Sequence, residues 1–136
     1  MGYETILTSV DEGILTITMN RPERLNAWTY QMGDELDDAI AKGNDSEEVV
    51  AIILTGAGRG FCAGADIEDL FKDQVDSGKT GSNSARKPRD WVGLIRSSKP
   101  CIAAINGASI GVGLTQVLPM DYLVAAEDAK LSARFI

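Results

Sequence analysis

The chain has 136 residues, of which 44% are hydrophobic, 20 are acidic and 13 are basic, for a formal charge of −7. That length argues for one domain with a real core, and the apolar content excludes disorder for most of it. The acidic balance argues against a nucleic-acid or anionic-membrane face, while leaving room for a local basic patch that holds a phosphate.

No run approaches the roughly 20 apolar residues of a membrane span. The opening Met-Gly-Tyr-Glu has neither a basic nor an apolar leader segment, and Ile6 stands where myristoylation wants Ser or Thr. The expected location is the cytoplasm. Ile6 to Val10 and Ile14 to Met19, separated by Asp11-Glu12-Gly13, read as a β-hairpin. Asn20-Arg21-Pro22 ends it. After a loop, Thr29 is placed to cap a helix that carries Met32, Leu36, Ala39 and Ile40 on one face, with Gly43-Asn44 as its stop. Val49 to Leu54 is a continuous apolar run and reads as a strand buried on both faces.

A glycine-rich turn follows, from Thr55 to Asp66, where Asp66 is expected to cap a short helix through Phe71. Residues 73–90 are polar, rich in Gly, Ser, Asn and Lys, and read as a mobile loop. Trp91 to Ile95 is helical in pattern, and Lys99-Pro100 breaks it. Cys101 to Ile105 reads as a second buried strand. It runs into a second small-residue turn, Asn106 to Gly113, which opens a helix through about Leu118. Tyr122 to Ala126 reads as a third buried strand, and Lys130-Leu131-Ser132 begins another.

The side-chain inventory limits the chemistry. Histidine is absent, which removes Ser-His and Cys-His nucleophile systems and most catalytic zinc sites. Cys62 and Cys101 match no zinc or redox spacing and read as small buried thiols. No metal site is expected. Any general base is therefore Asp, Glu, Lys, Tyr or Cys. The two strand–turn–helix passages are the positive signal. Each presents backbone N–H groups, supported by a helix dipole, to an anion or a developing oxyanion, and two such turns can serve one oxygen. Close packing alone is the competing reading of the same glycines. A dinucleotide loop is disfavoured, because Phe61 stands where G-x-G-x-x-G needs its last glycine. The acidic ribose partner would also fall in the polar loop.

Phe61-Cys62-Ala63-Gly64-Ala65-Asp66-Ile67 resembles the F-x-A-G-A-D-I signature of the crotonase (enoyl-CoA hydratase/isomerase) family. Asn20-Arg21-Pro22 through Leu25-Asn26-Ala27 resembles its N-R-P-x-x-L-N-A. Lys99-Pro100 through Asn106-Gly107, then Gly111-Val112-Gly113, and Asp121 resemble later family segments in the right order and spacing. The resemblance implies an α/β fold, a crotonase-like (ClpP/crotonase) spiral of ββα units. Residues 1–136 would be its N-terminal, acyl-CoA-binding part, incomplete at the C-terminus and lacking the helices that cap the site and build trimers.

By the same resemblance, the N–H groups of Ala65 and Val112 form an oxyanion hole, Val112 standing where a glycine is usual. Arg24, Leu25, Ala27, Arg59, Ala63, Asp66, Ile67 and Gly111 contact the acyl-CoA, Arg59 near its phosphates. Read from the residues alone, Asp66 is a helix cap and loop brace, Glu68 and Asp69 are solvated first-turn acids, and Trp28 and Trp91 are core or interface aromatics. The implied partners are an acyl-CoA thioester and further copies of the chain in a trimer or hexamer. No cofactor is implied beyond the coenzyme A of the substrate.

The family's two water-handling glutamates would fall at Thr115 and near Phe135, and neither position is acidic. The run Val112-Gly113-Leu114-Thr115, followed by apolar residues and Asp121, resembles the Δ3-Δ2-enoyl-CoA isomerase branch of the family, and that resemblance implies Δ3 to Δ2 isomerisation, with its single glutamate expected beyond Ile136. A hydratase with displaced acid/base residues and a non-catalytic acyl-CoA-binding or interaction fragment are the alternatives.

Overall fold

The computed structural model describes residues 2–76 and 89–135. Strands β1 (Ile6–Asp11) and β2 (Ile14–Met19) form the expected hairpin, paired antiparallel from Ile6 opposite Met19 to Asp11 opposite Ile14. Its turn residues Glu12 and Gly13 both have positive φ, 51° and 84°, the backbone that matches the twist of the flanking strands. A 3₁₀ turn at Pro22–Arg24 leads to helix α1 (Tyr30–Asp45).

Thr29 caps α1 as expected, its hydroxyl accepting the Met32 N–H at 3.0 Å. Met32, Leu36, Ala39 and Ile40 form the buried face, the spacing of one helical stripe. Gly43 does not stop the helix, which runs on to Asp45. A Cβ on Gly43 would lie 2.6 Å from Leu15 Cδ2. The glycine is there so that α1 can lie close against β2.

The remaining elements are β3 (Ala51–Gly56), α2 (Ile67–Asp76), α3 (Trp91–Arg96), β4 (Cys101–Ile105), β5 (Ser109–Ile110), α4 (Val112–Thr115), β6 (Tyr122–Ala125) and β7 (Leu131–Ser132). Helix α2 extends beyond the expected end at Phe71, so residues 73–76 of the expected loop are helical. Asp90 caps α3, accepting from the Gly93 N–H, and residues 77–88, expected as mobile, lie outside the described residues. Helix α4 is shorter than expected, giving way to turns after Thr115.

The main sheet has the order β1-β2-β3-β4-β6, with β2, β3, β4 and β6 parallel. A second stack runs beside it. Trp28 bridges Ala65, Cys62 bridges Ser109, and β5 pairs with β7, all parallel. Three times the chain leaves the main sheet, makes a short extended segment in this second stack and enters a helix: β2 to Trp28 to α1, β3 to Cys62–Ala65 to α2, and β4 to β5 to α4. Both stacks advance by one strand per turn, which is a spiral of ββα units. Parallel neighbours need such crossovers, because a hairpin cannot join them.

Leu15, Ile17, Met19, Ile52, Leu54, Cys101, Ala103 and Ile105 share one buried sheet face with Phe61, Leu36 and Ile40 packed into the same core. Each fully buried Ile, Leu or Met contributes about 1.5–3 kcal/mol relative to exposure. The expectation that β3 is buried on both faces, and that β6 is a buried strand, is corrected. In β3 and β4 buried and half-buried residues alternate, and all four residues of β6 are exposed. An apolar run records what a strand is built to bury. It does not record whether the covering layer lies within the same stretch of chain.

Candidate functional site

The first glycine turn leaves β3 at Gly56 and reaches α2 through Phe61 and Cys62, both fully buried. Two asparagines hold it. Asn26, with no exposed surface, donates from Nδ2 to the carbonyls of Ala57 and Gly60, both at 2.9 Å, and accepts the Arg21 N–H at 2.7 Å. Asn106 donates to Gly58 and Gly60 at 3.0 and 3.1 Å and accepts from the Gly56 N–H. Leu25 and Asn26 sit at φ 51° and 56°, a curl that aims the Leu25 carbonyl at the Ala63 N–H, 3.1 Å away.

The turn ends on Ala65. The Trp28 N–H donates to Gly64 O at 2.8 Å, and the Asp66 N–H donates to Trp28 O at 2.7 Å. In a parallel bridge of this kind the central residue turns its own N–H to the opposite side. Among the described residues no protein group accepts the Ala65 N–H. Gly64 makes this possible at φ 113°, a conformation side chains rarely adopt.

The second turn leaves β4 and crosses β5 into α4. Gly111 N–H is held by Ser132 O at 2.9 Å, and the hydroxyl of Ser109 donates to Gly113 O at 2.8 Å. Val112 is the first residue of α4, so its N–H has no helical acceptor. It too has no protein partner among the described residues.

The turns are packed on each other. Cys62 N–H donates to Ala108 O and Cys62 O accepts from Ile110 N–H, each at 3.0 Å. A Cβ on Gly113 would collide with the Cys62 carbonyl, and one on Gly64 would meet Ile110 O at 3.5 Å. Trp28 joins both sides of the arrangement. Its backbone bridges Ala65, and its side chain lines a cavity of about 290 Å³ that also has Val112 and Thr115 on its wall.

The other expected site residues are distributed as follows. Arg24 is half exposed and pairs with Glu68 at 3.0 Å. It lines a polar recess of about 200 Å³ with Arg21, Asp66, Glu68, Asp69 and Lys72. Glu68 is thus an ion-pair partner as well as a solvated acid. Leu25, Ala27 and Ala63 act here through their backbones, the Ala27 carbonyl accepting from Arg21 Nη1 at 2.6 Å. Ile67 is exposed, and Arg59 is exposed on the first turn with its carbonyl pressed against Gly107.

Asp66 braces the loop. It is 8% exposed, pairs with Arg21 Nη2 at 3.0 Å and accepts the Asp69 N–H at 3.1 Å. Burial pushes its pKa up, but the Asp69 N–H and the Arg21 guanidinium outweigh that and hold it below the usual range. Such a carboxylate is a poor base. Burial pushes the Cys62 thiol up to about 11, so it is not a thiolate near neutrality. Trp28 and Trp91 are only partly buried against the core, and both line the cavity. Arg21, Asn26 and Asn106 were visible as motif letters. Their bracing roles depend on partners some 31 to 50 positions away in sequence, which no local pattern reveals.

Comparison with known proteins agrees with this architecture. The family model described as enoyl-CoA hydratase/isomerase matches residues 9–136. A 1,2-epoxyphenylacetyl-CoA isomerase of Escherichia coli K12 is 37% identical, covering 97% of this chain and 51% of the relative. "Probable enoyl-CoA hydratase EchA14" of Mycobacterium tuberculosis H37Rv is 38% identical, covering 98% and 51%. Among solved structures, enoyl-CoA hydratase EchA8_6 of Mycobacterium marinum superposes with a TM-score of 0.82 at 31% identity, covering 94% of this chain and 60% of that one. The chain spans about half the length of the curated relatives it matches. From its two-stack spiral to its paired glycine turns, this chain belongs to the enoyl-CoA hydratase/isomerase family.

Proposed function

We propose that the protein binds an acyl-CoA thioester and stabilises its enolate between the N–H groups of Ala65 and Val112. One observation carries this reading: the two turns, whose Ala65 and Val112 N–H groups have no protein acceptor among the described residues, are packed backbone to backbone, with Val112 on the wall of an apolar cavity. A thioester oxygen gains charge as an α-proton leaves. Donors fixed in advance then favour the transition state over the ground state.

The reaction we favour is a shift of a carbon–carbon double bond, Δ3 to Δ2 in an enoyl-CoA of fatty-acid metabolism. It needs one group to move a proton between two carbons and no activated water. Among the described residues lining the cavity there is no carboxylate, which speaks against a hydratase arrangement built on this stretch alone. The proton-moving group is not among the described residues that line the cavity. The same absence favours, as a second reading, a site that binds acyl-CoA without turning it over.

The CoA portion is assigned to the polar recess that Arg24 and Lys72 share with Asp66, Glu68 and Asp69, and no cofactor beyond that CoA is called for. A homo-oligomer, trimer or hexamer, in the cytoplasm completes the proposal. No helix among the described residues is long and apolar enough to cross a membrane, and the apolar edge at β6 is available to a neighbour. The test is α-proton exchange from an acyl-CoA in D₂O, with 3-enoyl-CoA isomerisation followed in parallel, on protein expressed over its full reading frame. Exchange with isomerisation supports the enzyme, and binding without exchange supports the second reading. No binding removes both.

A further inference from the structure

The cavity beside Val112 is lined mainly by apolar and aromatic residues. Two indoles face it, Trp28 from the loop before α1 and Trp91 from the start of α3, with Leu36, Val92 and Val112 between them. Neither indole is loosely held. The Trp91 N–H donates to Gln116 O at 2.6 Å. Trp28 stacks edge-on against Tyr30, centroids 5.4 Å apart at 67°, and the guanidinium of Arg89, just before α3, lies 5.8 Å from its ring centroid.

That guanidinium is itself fixed, donating to Asp37 at 2.6 Å and to Asp34 at 2.8 Å. Its charge is met by carboxylates of α1, so Arg89 serves the cavity as a clamp on Trp28. Gly33 completes the clamp. A Cβ there would lie 2.5 Å from Trp28 Cζ2 and 3.0 Å from Arg89 Cζ, so only glycine lets the indole settle against the helix. The Gln116 side-chain Nε2 turns to Met19 Sδ at 3.7 Å, and its backbone carbonyl takes the Trp91 N–H.

We infer that this cavity selects an aryl-bearing acyl group, with the Trp28 and Trp91 indoles as ring-packing walls. The inference rests on the acyl-CoA reading above and narrows its substrate class. Size agrees. An apolar cavity of about 150 Å³ suffices for benzene, and about 290 Å³ holds a ring with the short linker that joins it to a thioester. Rigidity agrees as well. A flexible alkyl chain loses rotamer freedom between fixed walls, whereas a ring has little to lose. Offset or edge-to-face contact with an indole adds to simple area burial.

The experiment is calorimetric titration of the full-length protein with phenylacetyl-CoA, cyclohexylacetyl-CoA and octanoyl-CoA, matched in acyl carbon number, and with CoA alone. The expected result is phenylacetyl-CoA tightest by roughly three- to ten-fold over the other two. Trp91→Leu and Gly33→Ala should bring that ratio close to one, while Trp91→Phe, which keeps a ring, should retain most of it. A thermal melt of each variant confirms that it is folded. Equal or tighter binding of the saturated thioesters by the unmodified protein would overturn aryl selection and leave the acyl-CoA reading standing. So would an unchanged ratio in Trp91→Leu. Acyl-CoAs that bind no better than CoA alone would overturn the acyl-CoA reading itself.

Discussion

The Cys62 carbonyl occupies the space where a side chain on Gly113 would have to stand. Through this contact the turn before α2 and the turn before α4 become one unit, reinforced by the hydrogen bonds of Cys62 to Ala108 and Ile110. The relative placement of Ala65 and Val112 depends on it.

Gly113→Ala should therefore damage the proposed site more than an ordinary surface change. The added methyl has backbone on its far side, which cannot rotate away. Expected outcomes are destabilisation of about 1–3 kcal/mol, typical of overpacking, and loss of α-proton exchange by at least ten-fold. Denaturant unfolding and exchange in D₂O check the two halves. Gly64→Ala provides a milder comparison. Its Cβ would meet Ile110 O at 3.5 Å, but at φ 113° the backbone itself is strained.

Asn26→Ala removes three hydrogen bonds from a residue with no exposed surface and takes their Asn26 partner from the Ala57 carbonyl and the Arg21 N–H, while the Gly60 carbonyl keeps Asn106. Each unsatisfied buried group costs about 1–3 kcal/mol, partly relieved by water and relaxation. A loss of about 2–4 kcal/mol is expected. Asn26→Asp should also destabilise, because a carboxylate cannot donate to those carbonyls. Thermal melts of both variants measure this, and a change under about 0.5 kcal/mol would contradict the bracing role.

The pairing of Asp66 with Arg21 predicts a pH signature. The folded-state pKa of Asp66 lies below its ordinary value of 3.8. Its contribution to stability is therefore complete above about pH 4 and is lost as pH falls through the lower folded value. Asp66→Asn should be less stable than the unmodified protein near neutrality, by about 1–3 kcal/mol for a largely buried pair broken on one side. The gap should narrow in acid. Unfolding curves at pH 7 and pH 3 check this. An acid dependence of stability that Asp66→Asn leaves unchanged would contradict the bracing role.

How much of this was legible in the sequence follows from the range of each interaction. The hairpin, the Thr29 cap and the α1 stripe are set within a few residues and could be read directly. The glycine turns were legible as turns, and the family motifs gave their order. What could not be read was packing between distant segments. Gly43 looked like a helix stop because its contact, Leu15, is remote in sequence. Trp28 and Trp91 read as core or interface aromatics and do pack against the core; that both also line a cavity with Val112 and Thr115 depends on contacts remote in sequence. The apolar faces expected to lie uncovered at Cys101 and Tyr122 are found so at β6, whose four residues are all exposed, and less so at β4, where buried and half-buried residues alternate.

That exposure supports the last prediction. Leu118, Tyr122, Leu123, Val124, Leu131 and Phe135 are each 41% exposed or more. β6 is the last strand of the main sheet, so its outer backbone edge has no strand neighbour among the described residues. An apolar patch of several hundred Å² beside an open strand edge is a template for association. Residues 1–136 expressed alone should therefore self-associate with rising concentration, seen by sedimentation velocity. Tyr122→Lys with Val124→Lys, both on the same face of β6, should raise the monomer fraction by adding charge to that edge. The isolated chain should also bind acyl-CoA weakly and not turn it over, since removal of a positioned acid/base typically costs 10²–10⁴-fold. A monodisperse monomer that isomerises 3-enoyl-CoA near ordinary enzyme rates, about 10 s⁻¹, would refute both parts. The working base would then have to be sought within these residues, beginning with Asp66.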